Sequence, residues 1–280
     1  MGMSRRFTKG RRVSISADVP ENLVVTAEEL ERAMADDEFF LVYQPIMSLV
    51  KNRFVGAEAL VRWKHPQHGL ILPSSFIPVA ETSRLIVRLG RWALQSACVQ
   101  LGEWRTLYPD ALDWTMSVNV AARQLDALDF PYIVRAALKS GHLEPSSLRL
   151  ELTETAPVNG SVALDALFAL RTLGVHIDMD DFGTGYAVFA CLSQLPVDGF
   201  KIDRLFLRDI TSNGCHRVIV KTLFDLGRSL GMDVVAEGVE TFEQLGLLTH
   251  LGCELAQGFY FSPPVSPTEC LHKLIEPVSS

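Results

Sequence analysis

From about residue 85 onward, stretches with apolar residues at helical spacing alternate with short, apolar, strand-like runs. The helical spacing falls on 85–104, 132–138, 162–173, 217–230 and 244–251, and the strand-like runs on 114–120, 148–152, 175–179, 199–202, 234–236 and 254–256. Such alternation predicts repeated βα units around a largely parallel sheet. Ahead of it, Thr26 is placed to cap a short helix ending near Ala35, with Glu28 and Glu29 in its first turn. Two more apolar runs, 39–46 and 54–63, flank the turn residue Asn52 and predict a hairpin. No glycine-rich dinucleotide fingerprint follows the first strand, which weighs against a doubly wound nucleotide-binding sheet. About eight strands in 280 residues favour a closed α/β barrel, and the hairpin implies that one strand runs antiparallel.

The chain is 48% hydrophobic, enough for one large core. Its net charge of −7 is uneven: Arg5, Arg6, Lys9, Arg11 and Arg12 stand in a segment without acids, so the remainder carries −12. An acidic body argues against binding DNA through its backbone. A small anionic substrate stays compatible, because bound divalent cations can reverse the local field. Residues 1–22 lack apolar periodicity and are expected to form a flexible tail or a linker from a longer protein, with the folded domain over 23–280. The five cysteines are scattered and include no C-x-x-C pair, which fits a reducing, cytoplasmic compartment. No apolar run reaches the roughly 18 residues of a membrane span, and no apolar stretch follows the basic N-terminus as in a secretory signal.

In barrels of this class the active site lies at the C-terminal ends of the strands. The polar residues expected there are Glu58, Asn119, Glu151, Asp180, Asp181, Lys201, Asp203, Glu237 and Gln257, spread over seven strands. Any one carboxylate could simply cap the following helix. Together they would repel one another or stay unpaired without cations. An all-oxygen donor set selects hard ions such as Mg²⁺ or Mn²⁺ over zinc. Ligands sufficient for two ions point to phosphoester chemistry, in which paired metals activate water and stabilise the leaving oxygen. Lys201 beside them would orient that water or offset developing charge. Glu58, Leu60 and Arg62 project to one side of an extended strand. Arg62 then lies roughly 13 Å beyond Glu58 and can reach a phosphate or base; a surface salt bridge is the plainer reading. The loop 181–186 holds two glycines and can bend closely over a ligand. Glu154 and Glu240 each stand three residues past a strand-end glutamate, where they could cap a helix or brace that loop.

These residues also carry a family resemblance. Glu58-Ala59-Leu60 is the motif that names the EAL family, and the likeness runs from about residue 30 to 268. Tyr43-Gln44-Pro45, Pro73 to Pro78, Ala80-Glu81, Asn119, Glu151 to Glu154, Asp180 to Gly185, Lys201-Ile202-Asp203, Ala236 to Glu240 and Gln257-Gly258-Phe259 follow in the family's order. The resemblance implies a modified TIM barrel with one antiparallel strand, and hydrolysis of cyclic di-GMP to linear pGpG with two Mg²⁺ or Mn²⁺ ions. It implies that Glu58, Asn119, Glu151 and Asp180 hold the first metal, and that Asp180 bridges to a second held by Asp181. Glu237 would bind or orient water near that metal as a candidate general base, and Lys201 would contact the nucleophilic water. Gln44, Leu60, Arg62 and Gln257 would touch substrate, and Glu154 would anchor the glycine loop. A homodimer and a neighbouring sensory or GGDEF domain are also implied. The departure from the family pattern is Ala187-Val188-Phe189 in place of a Ser-Ser-Leu run, which bears on loop packing or the dimer surface rather than on the ligands.

Three rival readings exist. A degenerate EAL domain would sense cyclic di-GMP without cleaving it, but such domains characteristically lose metal ligands or the lysine. A glycosidase could use Glu151 and Glu237 as its carboxylate pair, leaving Lys201 and the Asp180–Asp181 pair unexplained. In a scaffold domain the acids would be structural only.

Overall fold

The computed structural model describes residues 24–153, 161–184, 192 and 194–276. The expected tail over 1–22 lies outside the described residues. β1 (Phe39–Ser48) and β2 (Arg53–His65) form the expected hairpin, paired antiparallel from Phe39 opposite Trp63 to Ser48 opposite Arg53. Asn52 turns it at φ +48°, a left-handed conformation that asparagine tolerates. A short β3 (Gly69–Ile71) pairs with the end of β2 and lies outside the barrel. β4 (Thr115–Asn119), β5 (Leu148–Thr153), β6 (His176–Phe182), β7 (Gly199–Ile202), β8 (Asp233–Glu237) and β9 (Leu255–Gln257) then follow in order, each parallel to its predecessor and β4 parallel to β2. β9 meets β1 antiparallel at Met47–Ala256 and Ser48–Leu255, which closes an eight-stranded barrel. The reversed strand is β1. The fold is therefore the modified α/β TIM barrel that the hairpin suggested.

The strands alternate, but with polarity opposite to that of a sheet packed on one apolar core. Met116, Val118, Leu150, Leu152, Ile177, Met179, Phe200 and Ile202 are buried in a core shared with the surrounding helices. The intervening Ser117, Arg149, Glu151, Asp178 and Lys201 are also buried, on the opposite face inside the barrel. The α-helices that lie wholly within the described residues are α1 (Ala27–Ala35), α2 (Pro73–Thr82), α3 (Ile86–Leu107), α4 (Ala122–Leu125), α5 (Phe130–Ser140), α6 (Ser161–Leu173), α7 (Arg204–Leu207), α8 (Gly214–Leu230), α9 (Phe242–Leu251) and α10 (Pro267–Ile275). Thr26 caps α1 as expected, accepting from Glu29 N at 3.2 Å while the Glu29 carboxylate accepts from Thr26 N at 2.9 Å. Helix α2 was not expected. It begins on Pro73 and contains Pro78, residues that read as loop punctuation, yet burial of Phe76 and Ala80 holds it in place. Helix α10 was not expected either, although Ser266 and Glu269 form a full capping box around Pro267.

A smaller core at the mouth fixes the far end of β2. Phe39, Trp63 and Phe76 pack ring against ring, with centroids 5.5 to 6.0 Å apart, beneath α1 and α2. The Trp63 indole also donates to Glu38 at 2.8 Å. This anchors the residue that follows Arg62. Cys98, Cys253 and Cys270 are buried and Cys215 is exposed, all as free thiols. Among the described residues no helix is long and apolar enough to cross a membrane.

An ion-pair network occupies the opposite end of the barrel. Arg149 on β5 donates to both oxygens of Asp178 on β6, at 2.6 and 2.8 Å, and to Asp233 on β8 at 2.9 Å. The Asp178 side chain is 4% exposed and that of Asp233 50%. Removing one partner of a buried pair leaves a desolvated charge, which costs far more than the pair itself contributes. Asp178→Ala is therefore expected to lower stability by about 3 kcal/mol, softened only by Asp233. Asp233→Ala should cost under about 1 kcal/mol, as for an exposed pair. Urea unfolding of both variants at neutral pH checks the difference.

Candidate active site

Each strand-end residue owes its place to the parallel register. Asn119 lies beside Glu151, Thr153 beside Asp180, Ile202 beside Ala236, and Glu237 beside Gln257. Antiparallel pairing of β1 with β2 adds Gln44 directly opposite Glu58. The side chains converge on Lys201, which is 2% exposed. Its ammonium lies 3.0 Å from Glu58, 2.8 Å from Glu151, 3.5 Å from Asp180 and 2.6 Å from Glu237. The Asn119 amide donates to the second oxygen of Glu58 at 2.8 Å. Gln257 donates to Glu58 at 2.9 Å and to Gln44 at 3.1 Å, and Gln44 in turn donates to the Ser262 carbonyl at 3.1 Å. Ser262 was not anticipated; only its backbone takes part, so no side-chain pattern could have flagged it.

Asp181 is turned toward the mouth by a left-handed backbone, φ +54°, unusual for a non-glycine residue. Its amide donates to the Asp180 carboxylate at 2.9 Å. Oxygens of Asp180, Asp181 and Glu237 all lie within 4.8 Å of one another. Asp203 takes the helix-capping role considered for any strand-end acid, accepting from Leu205 N at 2.7 Å as the N-cap of α7. Glu240 does not cap a helix, since Thr241 is the N-cap of α9; its side chain is exposed. Glu154 and Gly185–Tyr186 of the glycine loop lie outside the described residues.

The charges do not balance. Glu58, Glu151, Asp180, Asp181 and Glu237 face one ammonium, a formal excess of four negative charges that two divalent cations would neutralise. The imbalance shows in the acidities. Burial, then Glu58 and Asp180, push the Glu151 carboxyl well above the ordinary range. Burial, then Asp180 and Glu58, raise Glu237 to about 8. Burial, Asp180 and Asp203 raise Asp181 to about 6, and burial followed by Glu58 raises Asp180. Glu58 runs the other way: burial would raise it, but Lys201, Gln257 and Asn119 outweigh burial and hold it low. Carboxyls held partly protonated by burial and mutual repulsion are groups that a cation would ionise. The donors are all oxygen, which suits Mg²⁺ or Mn²⁺.

Arg62 stands apart from this cluster. It is 8% exposed and forms no ion pair among the described residues, so it is not the surface salt bridge that its position alone would allow. One terminal nitrogen donates to the Val61 carbonyl at 2.9 Å, and its Nε is buried without a partner. Gln257 Oε1 is likewise buried and unpartnered. Leu60, between Glu58 and Arg62 on the same face of β2, is half-buried.

Comparison with known proteins agrees with this geometry. A family model for the EAL domain matches residues 27–264. A Pseudomonas aeruginosa protein, the bifunctional diguanylate cyclase/cyclic di-GMP phosphodiesterase MucR, is 40% identical over 92% of this chain. The match takes up 37% of MucR, so the chain spans little more than a third of that relative's length. The solved MucR phosphodiesterase in complex with c-di-GMP superposes with a TM-score of 0.80 at 40% identity, over 86% of this chain and 98% of that one. The EAL domain of Mycobacterium smegmatis DcpA superposes at 0.73 and 32% identity, over 86% of this chain and all of that one. The acid-lined barrel described above, with its reversed first strand, belongs to the EAL domain family.

Proposed function

We propose that this chain is a phosphodiesterase that hydrolyses cyclic di-GMP to linear pGpG with two Mg²⁺ or Mn²⁺ ions. The observation that carries the reading is the buried Lys201 ringed by Glu58, Glu151, Asp180 and Glu237, with Asp181 completing an acid trio at its edge. A cyclic di-GMP sensor needs no such excess of charge. Glu58, Asn119, Glu151 and Asp180 would hold one cation, and Asp180, Asp181 and Glu237 the other. Bound there, the ions lower the pKa of water and stabilise charge on the phosphoryl and leaving oxygens.

The chain's own groups supply the rest. Lys201 orients the attacking water by donating to it. Glu237, which a neighbouring cation would hold ionised, accepts a proton from that water. The water oxygen bonds to phosphorus, one P–O3′ bond breaks, and the freed 3′ oxygen takes up a proton to leave pGpG. Arg62, buried and in no ion pair among the described residues, offers its guanidinium to a phosphate or a guanine. Gln44, Leu60 and Gln257 line the approach, with Gln257 Oε1 open to a donor from the substrate. Glu154 and Glu240 steady the glycine loop in this reading. MucR is named as both a diguanylate cyclase and a phosphodiesterase, which supports a GGDEF or sensory partner for this chain; a cytoplasmic homodimer is part of the same reading.

Incubation with cyclic di-GMP and Mg²⁺ or Mn²⁺ is expected to yield pGpG. Glu58→Ala and Lys201→Met should each lower the rate by at least about 100-fold. Ca²⁺, larger and looser in geometry, should inhibit. Binding of cyclic di-GMP with no pGpG from the wild type would establish the sensor reading instead.

Metal uptake should also release protons. Cations bind the ionised carboxylates, whereas Asp181 and Glu237 titrate at about 6 and about 8 in the metal-free protein. Affinity for Mn²⁺ is therefore expected to rise as pH goes from 6 to 8 and to fall on acidification. Calorimetry in buffers of different ionisation enthalpy measures both the trend and the protons released; an affinity flat across that range contradicts the ligand assignment.

A further inference from the structure

Two turns that carry metal-facing acids rest on one short helix. Gly183 follows Asp181 by two residues at φ +100°, and a Cβ there would stand 2.8 Å from Phe206 Cε2 and 3.1 Å from Cζ. Gly238 follows Glu237 at φ +76°, and a Cβ there would stand 2.5 Å from the Arg204 Cβ. Arg204 and Phe206 both belong to α7, so this one helix abuts both turns, through side chains two residues apart. The glycines permit an approach that no side chain would survive.

Phe206 is itself braced. The Phe206 ring, 9% exposed, meets the His216 imidazole edge-on, centroids 5.5 Å apart at 72°. His216 is held in turn: its Nδ1 lies 2.5 Å from the Asp209 carboxylate, whose other oxygen accepts from Asn213 at 3.1 Å. Asn213 caps α8 through the amides of Cys215 and His216, at 3.0 and 3.3 Å. A chain of contacts thus runs from the start of α8 through His216 and Phe206 to Gly183. None of these groups reaches the cation positions itself.

We infer that Phe206, braced by His216 and Asp209, is a positioning residue that sets Asp181 and Glu237, the ligands particular to the second cation, without setting Glu58, Asn119 and Glu151, the ligands particular to the first; the bridging Asp180 is common to both. The inference rests on the two-cation reading but not on turnover. A packed aromatic that fixes the turn of a metal-bearing carboxylate acts as outer-shell support, and loss of such support typically costs 10- to 100-fold in metal affinity.

The test is Mn²⁺ titration of the intact, substrate-free chain, read by calorimetry and by electron paramagnetic resonance of unbound Mn²⁺. Asp181→Asn identifies the binding step that belongs to the Asp180–Asp181–Glu237 site. Phe206→Leu is expected to weaken that step by about tenfold or more and leave the other step unchanged. His216→Ala should move the same step in the same direction by less, since Phe206 keeps its own burial. Circular dichroism and a thermal melt confirm that each variant is folded, and His216→Ala, at a part-exposed position, serves if Phe206→Leu does not fold. Equal weakening of both steps, no change in either, or uptake of fewer than two ions by the wild type overturns the proposal. Two-ion uptake with no pGpG formed would sink the phosphodiesterase reading and leave this one standing.

Discussion

A single ammonium buried among four carboxylates organises this protein. In water Lys201 and its neighbours would each be solvated at little cost; inside the barrel each must find compensation in another. Lys201 can serve all four only because β2, β5, β6 and β8 bring their acids within reach of one ammonium, an arrangement set by the parallel register. A slip of one residue in any of these strands would turn its acid outward toward the layer under the helices and, in the direction that brings the preceding residue into its place, set an alanine, leucine or methionine inward. The electrostatics of the centre therefore depend on the same alternation that builds the outer core.

Much of this was legible in the sequence, for definite reasons. The alternation of strand and helix from residue 85 onward survives at 22 residues in α3 and at four in β7. The hairpin announced itself through Asn52, whose left-handed backbone is one that few other residues accept. Lys201, Glu58, Glu151, Asp180 and Glu237 could be named because acids at the ends of so many successive strands, with a lysine among them, exceed what helix capping requires. The inverted polarity of the strands was also present, in Leu-Arg-Leu-Glu-Leu over 148–152 and Phe-Lys-Ile over 200–202. That pattern also places Arg149, Asp178 and Ser117 in the interior.

Other features were hidden for equally physical reasons. Helix α2 is favoured by tertiary burial of Phe76 and Ala80 against local proline chemistry, a contest that no short window reveals. That Arg62 is buried and in no ion pair among the described residues depends on its surroundings across the fold, not on its spacing from Glu58. The contact between Phe206 and the Gly183 turn joins residues 23 positions apart through a four-residue helix. Periodicity has almost nothing to register in an element that short.

The reversed β1 also governs how the barrel can be wired to anything upstream. In a barrel of uniformly parallel strands the chain enters at the floor, with the full length of the first strand between its entrance and the chemistry. Here Phe39 begins β1 opposite Trp63, at the mouth, and α1 packs in the aromatic core that anchors the end of β2. A pull or twist on the backbone ahead of Thr26 is thus delivered to the rim, one residue from Arg62, rather than to the far pole. The lever and the lock share one side of the machine.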